Sequence, residues 1–395
     1  MTAPDPIVIV GAARTPMGGF LGDLKDAPAH ALGARAISAA VERAGIEADS
    51  VDEILMGCVL PAGQGQAPAR QAAIGAGLPL AAGATTINKM CGSGMKAAMV
   101  AHDLLRAGSA DVVVAGGMES MSNAPYLLDR ARSGYRMGHG RTIDHMFLDG
   151  LEDAYDKGRL MGTFAEDCAE AYQFTRKEQD AYALSSLERA NRAMKNGDFA
   201  WEIAPVSVKA GKSETRVAAD EQPPKARLEK IPTLKPAFRD GGTVTAANSS
   251  SISDGAAALV MMRESEAERR GAGPLARIVA HATHAAPPKD FPTAPIGALK
   301  KLFEKTGWSQ DSVDLFEINE AFAVVAMAAM RDLGLAHEKV NVNGGACALG
   351  HPIGASGARI LVTLIAALRA RGLKRGVASL CIGGGEATAM AIEMA

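Results

Sequence analysis

The chain has 395 residues, of which 48% are hydrophobic and 22% charged, and its net charge is −2. This length and composition predict a globular protein with a large core and two or three domain-sized units. A charge near zero, without a basic tail or stripe, argues against nucleic acid as a partner, and no apolar run reaches the length of a membrane span.

The cysteines are five in number and widely scattered: Cys58, Cys91, Cys168, Cys347 and Cys381. Their odd number and irregular spacing indicate reduced thiols rather than a disulfide framework. The N-terminal residues lack the basic start and apolar run of a signal peptide. We therefore expect a cytoplasmic protein.

The first third of the chain alternates short apolar strands with helices. Strands are predicted at 7–10, 51–57, 84–88 and 111–115, and a helix at about 31–44. Strands that are apolar on both faces and are separated by helices predict a layered α/β fold.

Between residues 120 and 243 the strand signals become sparse. One helix is clearly indicated there, because Thr175 and Glu178 form a capping box and Gly197 provides a stop. We interpret 120–243 as an insertion over the core that shapes a binding site or a subunit contact.

The strand pattern then returns and repeats the first part of the chain. The segment 274–280 resembles the first strand, 313–318 resembles 51–56, and 377–386 resembles 112–119. Self-similarity at this distance predicts a duplicated unit, and paired halves commonly form a site at their seam.

Cys91 precedes a predicted helix that ends near Gly108. Gly92 and Gly94 permit a tight turn and close approach of other backbone. Unpaired N–H groups and the helix dipole favour a thiolate at such a position. The alternative for a single cysteine is a small buried side chain before a helix.

Three later stretches also place polar or reactive side chains beside glycine at predicted strand ends or helix starts: 319–323, 343–357 and 381–385. Ends of this kind form the active crevice of open α/β sheets. Cys347 and His351 are four residues apart, but no further ligand pair stands near them, so we predict no metal site. No phosphate-binding glycine motif fits well either.

The four blocks Cys-Gly-Ser-Gly, Asn-Glu-Ala-Phe, Gly-His-Pro-x-Gly-x-Ser-Gly and Cys-x-Gly-Gly-Gly, in this order, resemble the thiolase family. The resemblance covers nearly the whole chain. It implies an α/β thiolase fold, with two similar layered αβαβα halves and an inserted loop domain. The implied division is 1–119 plus 244–272 for the N-terminal half, 120–243 for the loop domain and 273–395 for the C-terminal half.

The resemblance also implies residue roles. Cys91 would be the nucleophile, and His351 the base that activates it. His351, with a water held by Asn319, would form one oxyanion hole, and the N–H groups of Cys91 and Gly383 the other. Cys381 would be the second acid/base. No metal or other cofactor is implied, since coenzyme A is a substrate and product.

Contacts to substrate follow from the same resemblance. Coenzyme A contacts are expected at Ser250, Met161, Leu151, Phe238, Ala246, Lys225 and Arg227, and the acyl pocket at Phe291, Phe322 and Met118. The chain departs from the family in two places. Residues 159–162 lack a histidine that acetoacetyl-CoA thiolases often have, and Phe291 replaces a common methionine.

The expected reaction is condensation of two acetyl-CoA to acetoacetyl-CoA and CoA, or the reverse. The alternative is a degradative 3-ketoacyl-CoA thiolase of broader chain length. A decarboxylating ketosynthase would have a second histidine in place of Asn319, and a non-catalytic lipid carrier would be expected to lack Cys91, His351 or Cys381. The loop at 126–139 resembles the family's tetramer-forming loop, so we expect a homotetramer, with a dimer as the alternative.

Overall fold

The structure is a computed structural model that describes residues 5–210 and 213–395. Strands and helices alternate over most of this length. The strands are β1 (Ile7–Arg14), β2 (Gly18–Gly19), β3 (Glu53–Gly57), β4 (Gly83–Ile87), β5 (Val112–Ser120), β6 (Tyr126–Leu127), β7 (Ile143–Asp144), β8 (Val206–Ala210), β9 (Ser213–Val217), β10 (Ser253–Arg263), β11 (Ala276–Ala285), β12 (Leu315–Ile318), β13 (Arg375–Ile382) and β14 (Glu386–Met394). The helices are α1 (Ala29–Ala44), α2 (Pro68–Gly75), α3 (Ser93–Ala107), α4 (Met161–Tyr172), α5 (Arg176–Asn196), α6 (Gln222–Lys225), α7 (Glu264–Arg270), α8 (Ala294–Thr306), α9 (Ala323–Leu333), α10 (Ala346–Leu349) and α11 (Ser356–Arg371).

One ten-stranded sheet runs through both halves in the order β12-β13-β14-β11-β1-β10-β5-β3-β4, with β2 beside β10. The two halves meet where β1 pairs with β11. Outward from this seam, β1-β10-β5-β3 has the same sequence of pairings as β11-β14-β13-β12: two antiparallel contacts followed by a parallel one. A parallel bridge from Phe316 to Val340 takes the place that β4 has in the first half. The strand repeats expected from the sequence therefore occupy equivalent positions.

Three apolar clusters separate the layers. The first packs α1 and α2 on the outer face of the N-terminal half-sheet. The second encloses α3 and α11 between the two half-sheets, and the third packs α8 and α9 on the outer face of the C-terminal half-sheet. Helix α11 is buried from Ser356 through Leu368, as expected of a helix that is apolar on nearly every side. This is the layered α/β arrangement expected from the sequence.

The segment between β5 and β10 contributes no strand to the ten-stranded sheet within its described residues, 121–210 and 213–252. It holds α4, α5, α6 and two short hairpins. The capping box is present, since the Thr175 hydroxyl accepts from the Glu178 N–H and Glu178 accepts from the Thr175 N–H. The boundaries 120 and 243 stay a prediction.

Besides the short strands β2 and β6 to β9, two long strands of the ten-stranded sheet, β10 and β14, were not identified from the sequence. β10 contains Ala256, Ala257 and Ala258, and β14 contains a similar run of small residues. Alanine and methionine favour helices in isolation, but β10 lies between β1 and β5 with both faces buried, where tertiary packing overrides local preference. No helix in the described part of the chain is long and apolar enough to cross a membrane.

Candidate active site

The first turns of α3 and α11 cross at two glycines. A Cβ on Gly94 would lie 2.8 Å from the Ala358 nitrogen, and a Cβ on Gly357 would collide with the Met95 nitrogen. Because neither residue has a side chain, the two helix N-termini can approach each other closely. Cys91 lies just before α3 and His351 just before α11, so this crossing brings the two residues into the wall of one cavity.

The turn that carries Cys91 has an unusual backbone. Met90 has φ +48°, a left-handed conformation that is uncommon for a residue with a side chain. Neighbouring side chains hold it: the Asn88 Oδ1 accepts from the Met90 N–H at 3.0 Å, and the Ser93 hydroxyl donates to the Met90 carbonyl at 2.6 Å. The sharp turn therefore fixes the cysteine at the start of the helix.

Burial raises the pKa of the Cys91 thiol to about 11, although the backbone N–H groups of Gly383 and Cys91 oppose this shift. The helix N-terminus alone therefore does not make a thiolate at neutral pH, contrary to the expectation from the sequence. The thiol needs a base. The same two N–H groups point at the sulfur, where they can also stabilise negative charge on a bound acyl group.

His351 presents an imidazole to the same cavity. It is buried, and burial lowers its pKa to about 3, so the imidazole is neutral. Its Nδ1 lies 2.5 Å from the Ser356 hydroxyl, which also donates to the Pro352 carbonyl at 2.9 Å. This pairing assigns the proton to Nδ1 and leaves a lone pair on Nε2, which has no protein partner among the described residues.

Asn319 lies against His351 but outside the cavity wall. Its Nδ2 is 3.5 Å from the His351 Nδ1, and its buried Oδ1 has no partner in the described part of the chain. A buried polar atom without a partner is costly and indicates a site for a water or substrate atom. Asn319 and His351 together leave two such atoms in this region.

Cys381 ends β13 on the other side of the cavity. Only 1% of it is exposed, and burial together with the nearby Cys91 raises the pKa of its thiol. The turn that follows, Gly383–Gly385, contributes the Gly383 N–H to the site. Two thiols with one neutral imidazole thus share the cavity.

The cavity has a volume of about 350 Å³ and its wall is mostly apolar. Predicted substrate contacts in this wall are Leu151, Met161, Phe238, Ala246, Ser250, Phe291 and Phe322. The Ser250 hydroxyl is already engaged, because it donates to the Ala321 carbonyl at 2.9 Å. The remaining wall includes Phe147, Leu160 and Ile353, which the sequence did not indicate.

Three predicted contacts lie elsewhere. Met118 is not in the acyl pocket: it packs in the first apolar cluster, where its sulfur faces Gly33 of α1. Successive residues of a strand point to opposite faces, so Met118 of β5 points away from the cavity. Lys225 is exposed and pairs with Glu221 at 2.6 Å, and Arg227 is exposed as well. Both lie outside the cavity wall, and their contact with the adenine end stays a prediction.

Two buried carboxylates support the site without having been identified from the sequence. Glu119, at the end of β5, accepts from the N–H groups of Val59 (2.9 Å), Leu60 (3.1 Å) and Gly354 (2.8 Å). Burial raises its pKa to about 7 against these hydrogen bonds. Since Gly354 belongs to the loop of His351, Glu119 ties this loop to the N-terminal half. In the sequence, Glu119 could have been identified as an acidic residue at the end of an apolar strand.

The second carboxylate, Glu320, holds the Asn-Glu-Ala-Phe segment in place. It accepts from Tyr182, Ser186 and Asn341 at 2.8 to 2.9 Å, and from the Cys347 N–H at 3.0 Å. The Cys347 thiol faces the Glu320 carbonyl, whereas His351 pairs with Ser356. Cys347 and His351 are therefore held by different partners, and the absence of a metal there stays a prediction.

The fold and this site define a two-half α/β protein with a thiol and imidazole centre at its seam. The family model for the thiolase N-terminal domain matches residues 7–265, and the model for the C-terminal domain matches residues 272–394. The chain belongs to the thiolase family.

Relatives match along nearly the whole length. Acetyl-CoA acetyltransferase 2 of Arabidopsis thaliana is 52% identical, with 99% of this chain and 98% of the relative covered. The acetyl-CoA acetyltransferase of Shinella zoogloeoides is 50% identical, with 98% and 99% covered. The crystal structure of the Bacillus anthracis acetyl-CoA acetyltransferase matches with a TM-score of 0.97 at 43% identity, and both chains are fully covered.

Proposed function

We propose that the protein is an acetyl-CoA acetyltransferase, which condenses two acetyl-CoA to acetoacetyl-CoA and CoA and catalyses the reverse thiolysis. The observation that carries this proposal is the presence of Cys91, His351 and Cys381 in the wall of one apolar cavity. The names of the full-length relatives support the acetyl group as the unit transferred.

In the first half-reaction, His351 takes the proton of the Cys91 thiol at Nε2. The thiolate attacks the thioester carbon of acetyl-CoA, and the N–H groups of Cys91 and Gly383 stabilise the oxyanion. The C–S bond to CoA then breaks, and the CoA sulfur takes the proton from His351. The products are acetylated Cys91, free CoA and neutral His351.

In the second half-reaction, the Cys381 thiolate removes a proton from the α-carbon of a second acetyl-CoA. Burial makes this thiolate scarce, and for the same reason it makes it a strong base. In this step the neutral imidazole of His351 carries its proton on Nε2, and its Nδ1 accepts from the Ser356 hydroxyl. The Nε2–H and a water held by Asn319 stabilise the enolate oxygen. The α-carbon attacks the acetyl group on Cys91, the C–S bond breaks, and Cys381 returns the proton to the Cys91 sulfur.

We propose that these two half-reactions need no metal or other cofactor. Thioester exchange requires a nucleophile that is also a good leaving group, and a thiol meets both conditions. The α-proton of a thioester is acidic enough for a thiolate base when fixed donors meet the enolate charge.

An aromatic cluster at the cavity supports a short acyl chain. The Phe291 ring centroid lies 6.1 Å from that of Phe164 and 6.4 Å from that of Phe322, which in turn lies 5.8 Å from Phe238. In this proposal the packed rings bound the acyl end of the cavity and limit the chain to a few carbons. In the alternative, a degradative thiolase of broader range, longer chains would pass these rings.

The test is thiolysis of acetoacetyl-CoA beside 3-ketohexanoyl-, 3-ketooctanoyl- and 3-ketohexadecanoyl-CoA. We expect kcat/KM to be at least ~10-fold higher for acetoacetyl-CoA, because a closed pocket discriminates by one or two methylenes to about this extent. Phe291→Ala should lower the preference for acetoacetyl-CoA over the longer substrates. Phe303→Ala is the control and should leave this preference unchanged, because Phe303 is not in the cavity wall. Equal or better rates on the longer chains would assign the protein to the degradative class.

We also propose a homotetramer in the cytoplasm. The loop at 126–139 exposes Tyr126 (68%) and Met137 (96%), a feature typical of a subunit contact. The five unpaired thiols support a reducing compartment. Light scattering after gel filtration measures the assembly, and the same measurement on a variant with residues 128–139 replaced by a short glycine linker tests the loop.

A further inference from the structure

A second group of potential ligands lies on the outside of the molecule, at the seam between the halves. It consists of His102 and Asp103 on α3 and His281 on β11. One ligand atom from each residue lies within 4.8 Å of the other two. The catalytic mechanism uses none of these residues, since α3 carries His102 about 16 Å from Cys91 along the helix axis.

The three ligand atoms form a small triangle. The His102 Nδ1 and the His281 Nε2 are 3.3 Å apart, and each lies 3.0 Å from the Asp103 Oδ1. A tetrahedral zinc ion with bonds of about 2.0 Å separates its ligands by about 3.3 Å. The spacing on the protein surface therefore matches that of three corners of a tetrahedron.

Two protonation patterns are open to this triangle. Each imidazole carries either an N–H or a lone pair on the nitrogen that faces Asp103, and the carboxylate oxygen can accept from both N–H groups. With the proton on the other nitrogen of each ring, both imidazoles turn a lone pair towards the carboxylate, and a cation at the centre would bind all three atoms. The fourth corner faces solvent, because the Asp103 side chain is 60% exposed.

Two cations lie next to the triangle. Arg106 and Lys305 lie in the adjoining groove, and Lys305 donates to the His281 carbonyl at 2.9 Å. These cations reduce the affinity for a divalent ion, while the Asp103 charge offsets part of their effect.

We infer that His102, Asp103 and His281 form a binding site for a divalent ion of the zinc class, with water as the fourth ligand. Two imidazoles and one carboxylate suit zinc, cobalt or nickel better than calcium or magnesium, which prefer oxygen ligands. Because α3 belongs to the first half and β11 to the second, a bound ion links the two halves and stabilises the folded chain by mass action.

The first test is calorimetric titration of Zn²⁺ into protein that has been freed of metal with a chelator. We expect one ion per chain, a rise in Tm with added Zn²⁺, and binding at least ~10-fold weaker in His281→Gln and in His102→Gln, because each loses one of three ligands. His284→Gln is the matched control, since this histidine lies on the same strand outside the triangle. Binding that is equal in His281→Gln and the unchanged protein would overturn the site.

The second test separates this site from the thiols of the active site. Co²⁺ bound by two imidazoles and a carboxylate shows d–d bands without a sulfur-to-cobalt charge-transfer band. We expect this spectrum, and its loss in Asp103→Ala and His281→Gln while the metal-free Tm stays within the range of the His284→Gln control. A charge-transfer band for the single bound ion would place it on cysteine and contradict the inference.

Discussion

The two halves of the molecule have the same strand order but contribute different chemistry. In each half a central helix begins at the seam: α3 follows Cys91 in the first, and α11 follows His351 in the second. In each half one strand pairs parallel on one side and antiparallel on the other, and these two strands end in the same region, β5 near Glu119 and β13 near Cys381. A duplicated scaffold therefore offers four similar positions.

The difference lies in which side chain fills each position. The first half supplies a thiol at the helix and a carboxylate at the strand end, whereas the second supplies an imidazole and a thiol. The Glu119 carboxylate accepts hydrogen bonds from three backbone N–H groups and is not part of the cavity wall. Cys381, in contrast, lies in that wall. The corresponding strand ends therefore carry a supporting carboxylate in one half and a thiol in the cavity wall in the other.

The largest effect is expected from the thiol of the first half. Cys91→Ala should lower thiolysis by at least ~10³-fold, because the covalent route is lost. Mass spectrometry of protein mixed with acetyl-CoA should find no acetylated chain. An acetylated variant with substantial turnover would move the nucleophile to another residue, and Cys347→Ala serves as the control for a thiol outside the cavity wall.

Cys381→Ala tests the thiol of the second half separately. We expect the acetylated protein to form at Cys91, but condensation to fall by about 10²- to 10⁴-fold, as for loss of a general base. The measurement is the ratio of acetylation to acetoacetyl-CoA formation in one preparation. If acetylation and condensation fall by the same factor, Cys381 does not act as a separate base, and the proposed difference between the strand ends at Glu119 and Cys381 is wrong.

Glu119→Gln addresses the strand end of the first half through pH. Its pKa is about 7 in the folded protein, above its ordinary value of 4.5, so it favours folding fully below pH 4.5 and this contribution is lost as the pH rises to 7. The shift corresponds to about 3 kcal/mol. A glutamine cannot titrate, and its NH₂ group would face an N–H donor, which costs a further ~1–3 kcal/mol.

Urea unfolding of Glu119→Gln and of the unchanged protein between pH 4.5 and 8 measures both the contribution of Glu119 titration and the cost of the glutamine NH₂ group. The variant should be less stable at pH 4.5 by about 1–3 kcal/mol. Because the unchanged protein loses about 3 kcal/mol as the pH rises, this difference in stability should close or reverse by pH 8. Glu229→Gln, on the surface, is the control and should follow the unchanged protein. A constant gap across this range would mean that Glu119 does not titrate there.

Gly94→Ala tests the crossing that joins the halves. The added Cβ would lie 2.8 Å from the Ala358 nitrogen, so α3 and α11 must separate slightly. We expect a loss of about 1–3 kcal/mol in stability together with a fall in kcat, because Cys91 moves relative to His351. Gly273→Ala is the matched control, since no described atom lies within 4 Å of its Cβ position. If Gly94→Ala and Gly273→Ala lower stability and kcat equally, the crossing of α3 and α11 does not position Cys91 and His351.

The sequence by itself determined the strand repeats, the layered α/β class and the residues that carry the resemblance to the thiolase family. These features depend on local pattern: apolar runs, a capping box at Thr175 and glycine beside Cys91, His351 and Cys381. Short-range preference is enough to mark them, and the order of the motifs adds specificity.

Only the tertiary structure decided which groups meet and in what state. Burial, which depends on every layer, raises the pKa of Cys91 and outweighs the helix N-terminus, so the proposed mechanism assigns the removal of the thiol proton to His351. The face on which Met118 points, the hydrogen bonds of Glu119, and the triangle of His102, Asp103 and His281 depend on strand register and on contacts between distant segments. Such contacts leave no local pattern, because their partners are up to 235 residues apart in the chain.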